Sequence, residues 1–178
     1  LKKILKEKTK IKNLLAKIVE IICLHADKQI EAGANVIQIF DSWAELLPLA
    51  NMEDYCYSPT KEIVEHIKKS KVSTICFPKG IKEEYSNFCS RVKPDCISID
   101  YNIDPDWIKK KVNGIPIQGG MDPKILLTNK TNIEKNVKKY INIFSDYPYI
   151  FNLGHGVLPQ TKPEAIQQVV KIIRENTK

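Results

Sequence analysis

The sequence predicts an α/β fold in which parallel strands alternate with crossover helices, and three observations carry that prediction. Short, mostly β-branched apolar runs recur five times, at residues 34–40, 72–77, Cys96–Ile99, 115–118 and 149–151. Between them lie longer stretches with apolar residues at helical spacing. Most of those stretches open on a small polar residue followed by proline or by a capping-box pair, so each has a defined start. Strands separated by helices pair in parallel, because each crossover returns the chain to the same end of the sheet. Five such units suit a doubly wound sheet, whereas a closed eight-stranded barrel needs about 250 residues.

The elements follow in order. Residues 8–31 carry Ile11, Leu14, Leu15, Ile18, Ile21 and Ile22 at helical spacing, and Gly33 ends that helix. The run from Ala34 to Phe40 is the first strand. Ser58 is read as a cap and Pro59 as the first turn of a helix reaching about Lys69. The second strand, at 72–77, is followed by a helix at 81–92. After the third strand, Asp104 and Pro105 repeat the cap-then-proline start, and after the fourth, Asp122 and Pro123 start a short helix. Thr131 with Glu134, and Thr161 with Glu164, read as capping boxes for the last two helices, the final one running toward Arg174.

Composition narrows the class. At 178 residues, 43% hydrophobic and 28% charged, the chain reads as a single domain over 1–178 with a real core. No apolar run approaches the roughly 18 residues of a spanning helix, and the start Leu1-Lys2-Lys3-Ile4 lacks an apolar signal region. The first residue is not methionine, so the natural start is expected elsewhere. Five cysteines without C-x-x-C spacing fit a reducing cytoplasm better than a disulfide framework. The net charge of +7 suits a polyanion: nucleic acid, a phosphorylated ligand or a polycarboxylate. Lys2, Lys3, Lys6, Lys8, Lys10 and Lys12 read as a solvated helix face.

In parallel β/α folds, function collects at the carboxyl ends of the strands. Those positions hold Asp41, Ser42 and Trp43; Pro78, Lys79 and Gly80; Asp100 and Tyr101; Gln118, Gly119 and Gly120; and Asn152, Gly154, His155 and Gly156. Asp41 and Asp100 can equally bond a turn, Lys79 taken alone reads as solvated, and the 119–120 pair reads as a tight turn. His155, between two glycines, points to ligand contact, since glycine lets backbone come close. His25 and His66 fall on helices as surface or packing residues. No metal-ligand spacing occurs, and no glycine-rich nucleotide loop follows any strand. Cys76 and His155 form a nucleophile pair only if the fold brings them together.

Five stretches resemble the C-terminal half of the uroporphyrinogen decarboxylase family: GANVIQIFDSWA from Gly33, FPKG from Phe77, IDY from Ile99, IQGGMDP from Ile117 and FNLGHGVLPQT from Phe151. The resemblance implies a (β/α)8 TIM barrel, of which about five β/α units are present, working as a cytoplasmic homodimer without cofactor or metal. It implies decarboxylation of the four acetate side chains of uroporphyrinogen III to coproporphyrinogen III, hence a tetrapyrrole polycarboxylate partner and neither nucleic acid nor membrane. Ser42 and His155 take the family's substrate-binding positions; Asp41, Gln118, Gly119, Gly154 and Gly156 are candidates to line the cleft. No catalytic residue falls in this chain. The family's arginine motif, catalytic aspartate and substrate-binding tyrosine lie in its N-terminal half, so the chain is expected to be a fragment that is inactive alone.

Two departures are small: Gly120 stands where the family usually has asparagine, and Tyr101 where it often has tryptophan. Two rivals remain. Zinc-dependent corrinoid or thiol methyltransferases share the superfamily, but they carry an H-x-C pair where this chain has Thr74-Ile75-Cys76, and a further cysteine where it has LGHG. The other is a non-catalytic, truncated binding module.

Overall fold

In the computed structural model, which describes residues 8–112 and 114–177, the chain divides between Asp95 and Cys96 into two units. Lys2, Lys3 and Lys6 lie outside the described residues. Five strands alternate with helices in the α/β order expected, consistent with five units of a (β/α)8 barrel.

The first unit begins with helix α1 (Lys8–Glu31). Its end is a Schellman motif: Gly33 takes φ +100°, its N–H donates to Ile30 O at 2.9 Å, and the Ala34 N–H donates to Gln29 O at 3.0 Å. The helix carries two apolar stripes, and only one meets this unit's core. Val19, Cys23 and Ala26 pack with Ile37, Ile63 and Ile67. The other stripe, Leu14, Ile18 and Ile21, is 61%, 41% and 64% exposed.

Strand β1 (Val36–Asp41) pairs in parallel with β2 (Ser73–Pro78), Val36 opposite Ser73 and Asp41 opposite Pro78. The connection between them winds before it reaches helix α2 (Ser58–Lys68). Two 3₁₀ turns, Ala44–Leu46 and Leu49–Asn51, lead into a π-helical turn at Glu53–Tyr57. Ser58 therefore does not cap. It is already helical at φ −60°, ψ −47°, and its hydroxyl donates back to Glu53 Oε1 at 3.1 Å. Helix α3 (Tyr85–Val92) follows β2 and stops at Lys93, which takes the left-handed conformation.

The second unit holds β3 (Cys96–Ile99), α4 (Pro105–Lys111), β4 (Ile117–Gly119), α5 (Lys130–Ile143), β5 (Tyr149–Ile150) and α6 (Pro163–Asn176). β4 lies parallel between β3 and β5, with Ser98, Gln118 and Ile150 in register. The Asp104 carboxylate caps α4 by accepting the Trp107 N–H at 2.7 Å, and the Asp122 carboxylate caps the 3₁₀ turn Pro123–Leu127. α5 starts earlier than its sequence signal: Asn129, not Thr131, accepts the N–H of Asn132 at 2.9 Å. Thr161 caps nothing. α6 begins at Pro163, whose fixed φ and missing N–H suit a first turn, while the Thr161 N–H closes a turn onto Leu158 O. All five cysteines are buried free thiols. Among the described residues no helix is long and apolar enough to cross a membrane.

Candidate functional site

The two units present their strand-end residues separately. In the first, Asp41 is the last residue of β1, and its carboxylate accepts the Trp43 N–H at 3.4 Å and the thiol of Cys56. Burial raises the pKa of Asp41, and those two donors partly offset the rise. Burial, with the charge of Asp41 next in size, also pushes the Cys56 thiol well up, so at neutral pH it is a hydrogen-bond donor rather than a thiolate. Ser42 follows, half-buried, with its hydroxyl making no hydrogen bond to another described residue. Apolar side chains flank it: Phe40 and Trp43 are 65% and 71% exposed.

Lys79 is not solvated. Its side chain is only 19% exposed and pairs with Glu45 at 2.9 Å. Its backbone N–H donates to Asp41 O at 3.0 Å, and the Glu45 N–H donates to Lys79 O at 3.2 Å. Gly80 has φ +77°, and a Cβ there would strike the Glu45 side chain. The turns after β1 and β2 are thus interlocked, with Ser42 on the first.

In the second unit, the Asp100 side chain accepts the Asn102 N–H at 2.8 Å and shapes the turn after β3. Gln118, buried on β4, donates to Ser98 Oγ at 3.3 Å. Gly119 and Gly120 both have positive φ, and a Cβ on Gly119 would meet Ile99 O at 2.9 Å. Met121 then bridges Leu153 in parallel, and the Gly154 N–H donates to Met121 O at 2.8 Å. Gly154 lies flat against the preceding loop, where an added Cβ would strike Tyr101 N and meet Asp100 C at 2.9 Å. Gly156 has open space around it. The first flanking glycine thus serves the packing of the loop itself, and His155 stands beyond it with an exposed ring. The structure brings Asp41, Ser42 and Lys79 together in one unit, and Asp100, Gly119, Gly154 and the loop of His155 in the other.

The other histidines are structural. His66 Nε2 meets Asp27 Oδ1 at 2.8 Å between α2 and α1, and His25 meets Gln29 one turn along α1. No three His, Cys, Asp or Glu side chains among the described residues gather where a metal could sit. Thr74, at the H-x-C position, lies near the start of β2 rather than its carboxyl end, and its hydroxyl donates to Asp95 at 2.8 Å. Sequence reasoning missed Cys56 and Glu45 as supports of the Ser42 turn. Nothing in a sequence places either beside Asp41 or Lys79, because the 3₁₀ and π-helical winding of 44–57 has no periodic signal.

Comparison with known proteins agrees with these loops. The family model for uroporphyrinogen decarboxylase (URO-D) matches residues 1–176. The uroporphyrinogen decarboxylase of Rickettsia bellii is 43% identical over 166 residues, covering 92% of this chain and 49% of that protein. Those of Wolbachia pipientis and Cereibacter sphaeroides are 41% and 34% identical, over 92% and 90% of this chain and 49% and 48% of theirs. The chain spans about half the length of the curated relatives it matches. Among solved structures, a methyltransferase from Methanosarcina mazei superposes with a TM-score of 0.77 at 18% identity, over 88% of this chain and 47% of that one. That likeness speaks for the fold alone.

Proposed function

The chain belongs to the uroporphyrinogen decarboxylase family, and from that premise we propose that it is the C-terminal part of a cofactor-independent decarboxylase acting on the acetate side chains of uroporphyrinogen III. The whole enzyme is a cytoplasmic homodimer with one barrel domain per protomer, and it engages neither nucleic acid nor membrane. The observation that carries the reading is the pair of strand-end loops, FDSW after β1 and LGHG after β5, each with a donor side chain: Ser42, half-buried, and His155, exposed.

The chemistry sets what those residues do. Loss of carbon dioxide from an acetate leaves an electron pair on the carbon attached to the pyrrole. A pyrrole protonated on a ring carbon accepts that pair as an exocyclic methylene, a second proton turns the methylene into a methyl group, and loss of the ring proton restores the aromatic ring. The first proton is released again, so one proton is taken up for each carbon dioxide lost. The residues of this chain hold the substrate rather than move those protons. Ser42 donates one hydrogen bond, and His155 donates from either ring nitrogen. A donor aimed at a carboxylate stabilises it by about 1–3 kcal/mol. The net charge of +7 favours approach of a polycarboxylate, and the exposed rings of Phe40 and Trp43 offer apolar surface to a macrocycle.

The test is turnover by the full-length protein under anaerobic conditions, with uroporphyrinogen III and no added cofactor. Chromatography of the oxidised products should show stepwise loss of the acetate carboxyls, ending at coproporphyrin. Ser42→Ala should lower kcat/KM about ten- to a hundredfold. Unchanged uroporphyrinogen with a folded full-length protein would refute the assignment.

A further inference from the structure

We propose that Tyr140 and Tyr149 are positioning residues for His155, acting through the Gly119–Gly120 turn. The inference rests on the reading of His155 as a substrate contact. The Tyr149 hydroxyl donates to Gly119 O at 2.7 Å, and the Tyr140 hydroxyl donates to Gly120 O at 2.6 Å. Two successive carbonyls of one turn are therefore each held by a phenol, one from β5 and one from α5. The turn needs holding. Gly119 closes β4 opposite Ile99, and both glycines have positive φ, +89° and +98°, so the regular ladder ends there. The next carbonyl, that of Met121, accepts the Gly154 N–H one residue before His155. Three consecutive carbonyls thus connect the two tyrosines to the histidine loop.

The tyrosines are themselves fixed. Phe144 stacks on Tyr149 with ring centroids 4.1 Å apart and planes 11° from parallel, and it stacks on Tyr140 at 6.5 Å. Burial pushes both phenol pKa values upward, so both remain donors at neutral pH. Phenylalanine would fill the same space in the aromatic cluster. What the hydroxyls add is the fixed position of the 119–120 carbonyls, and with it the anchor of the loop at Leu153 and Gly154. Tyr147 supplies an internal control, because its hydroxyl makes the same kind of bond, to Ile115 O at 2.9 Å, before β4 rather than at its carboxyl end.

The test uses the full-length protein and four variants: the pair Tyr140→Phe with Tyr149→Phe, Tyr147→Phe, His155→Ala, and the Phe pair combined with His155→Ala. Kinetics are measured well below each melting temperature. With His155 present, the Phe pair should lower kcat/KM about tenfold through KM, with kcat within about twofold of the parent. Tyr147→Phe should match the parent. In the His155→Ala background the Phe pair should cause no further loss, because the two changes act on one contact. An equal loss in both backgrounds, or no loss with His155 present, would overturn the inference while leaving His155 as a contact. His155→Ala with parental kcat/KM would instead remove the contact itself, and both readings with it.

Discussion

The loop that carries Ser42 and the loop that carries His155 differ in what side chains add to their backbone anchors. After β1 two backbone hydrogen bonds are joined by side-chain anchors: Cys56 on Asp41, and Lys79 on Glu45. After β5 the chain is held by backbone: Gly154 on Met121 O, and Gly154 pressed against the 100–101 peptide. Side-chain anchors respond to pH and tolerate substitution by a residue with the same donor. Backbone anchors are insensitive to pH but leave no room for a Cβ. One architecture therefore carries two strand-end loops with different weaknesses, and substitutions can separate them.

The largest effect falls on the backbone-held loop. Gly154→Ala must displace the 100–101 backbone, and should lower the unfolding free energy by about 3 kcal/mol. Gly156→Ala, two residues on with open space and no positive φ, should stay within about 0.5 kcal/mol. Thermal melts of the two variants decide this, and equal melting points would refute backbone contact as the anchor.

A smaller effect is expected in the other loop. Cys56→Ala removes a donor to a buried carboxylate and should cost about 1–2 kcal/mol, while Cys56→Ser should recover much of it. Chemical unfolding of both variants provides the check: a serine variant no better than alanine would mean that packing of the sulfur, not the hydrogen bond, holds the turn.

The smallest effect depends on acidity. Burial works against the Asp95 carboxylate, but the N–H and hydroxyl of Thr74 and the ammonium of Lys68 outweigh it, and its pKa lies below the ordinary value. A depressed folded-state pKa contributes stability above the unfolded value and loses it as pH falls through the folded one. Asp95→Asn should therefore cost about 1 kcal/mol at pH 7, reduced by the partial exposure of the pair, and progressively less below about pH 4. Asp41 has the opposite sign: its raised pKa makes its charge a cost to stability that is relieved as pH falls. A gap between wild type and Asp95→Asn that is constant from pH 7 to pH 3 would contradict this account of Asp95.

Most of the fold was legible because its punctuation is chemical. Asp104-Pro105 and Asp122-Pro123 start helical turns where a carboxylate and a proline belong together, and Gly33 ends α1 where positive φ is required. Thr131 and Thr161 misled because a capping-box pattern is satisfied by any suitably spaced pair. Asn129 lies two residues upstream of Thr131 and caps α5, and Pro163 fixes the start of α6 without a side-chain cap. In α1 two apolar stripes compete, and periodicity alone does not say which one this unit covers. The candidate residues at the strand ends were legible in kind but not in role. Lys79 reads as solvated until Glu45 is brought to it, and Gly154 reads as a flexible flank until its Cα is seen against Asp100 and Tyr101. Those contacts join residues far apart in sequence, which no local pattern encodes.

The central claim is that His155, beyond its fixed glycine, is a substrate contact of a decarboxylase. The most direct measurement is kcat/KM for uroporphyrinogen III with the full-length protein and its His155→Ala variant, at low substrate and with melting temperatures recorded. A fall of about ten- to a hundredfold with an unchanged melting temperature is predicted, since the exposed ring contributes little to folding. Parental kcat/KM would contradict the claim, as would complete loss of activity in a folded variant, which would make His155 part of the proton chemistry rather than of binding.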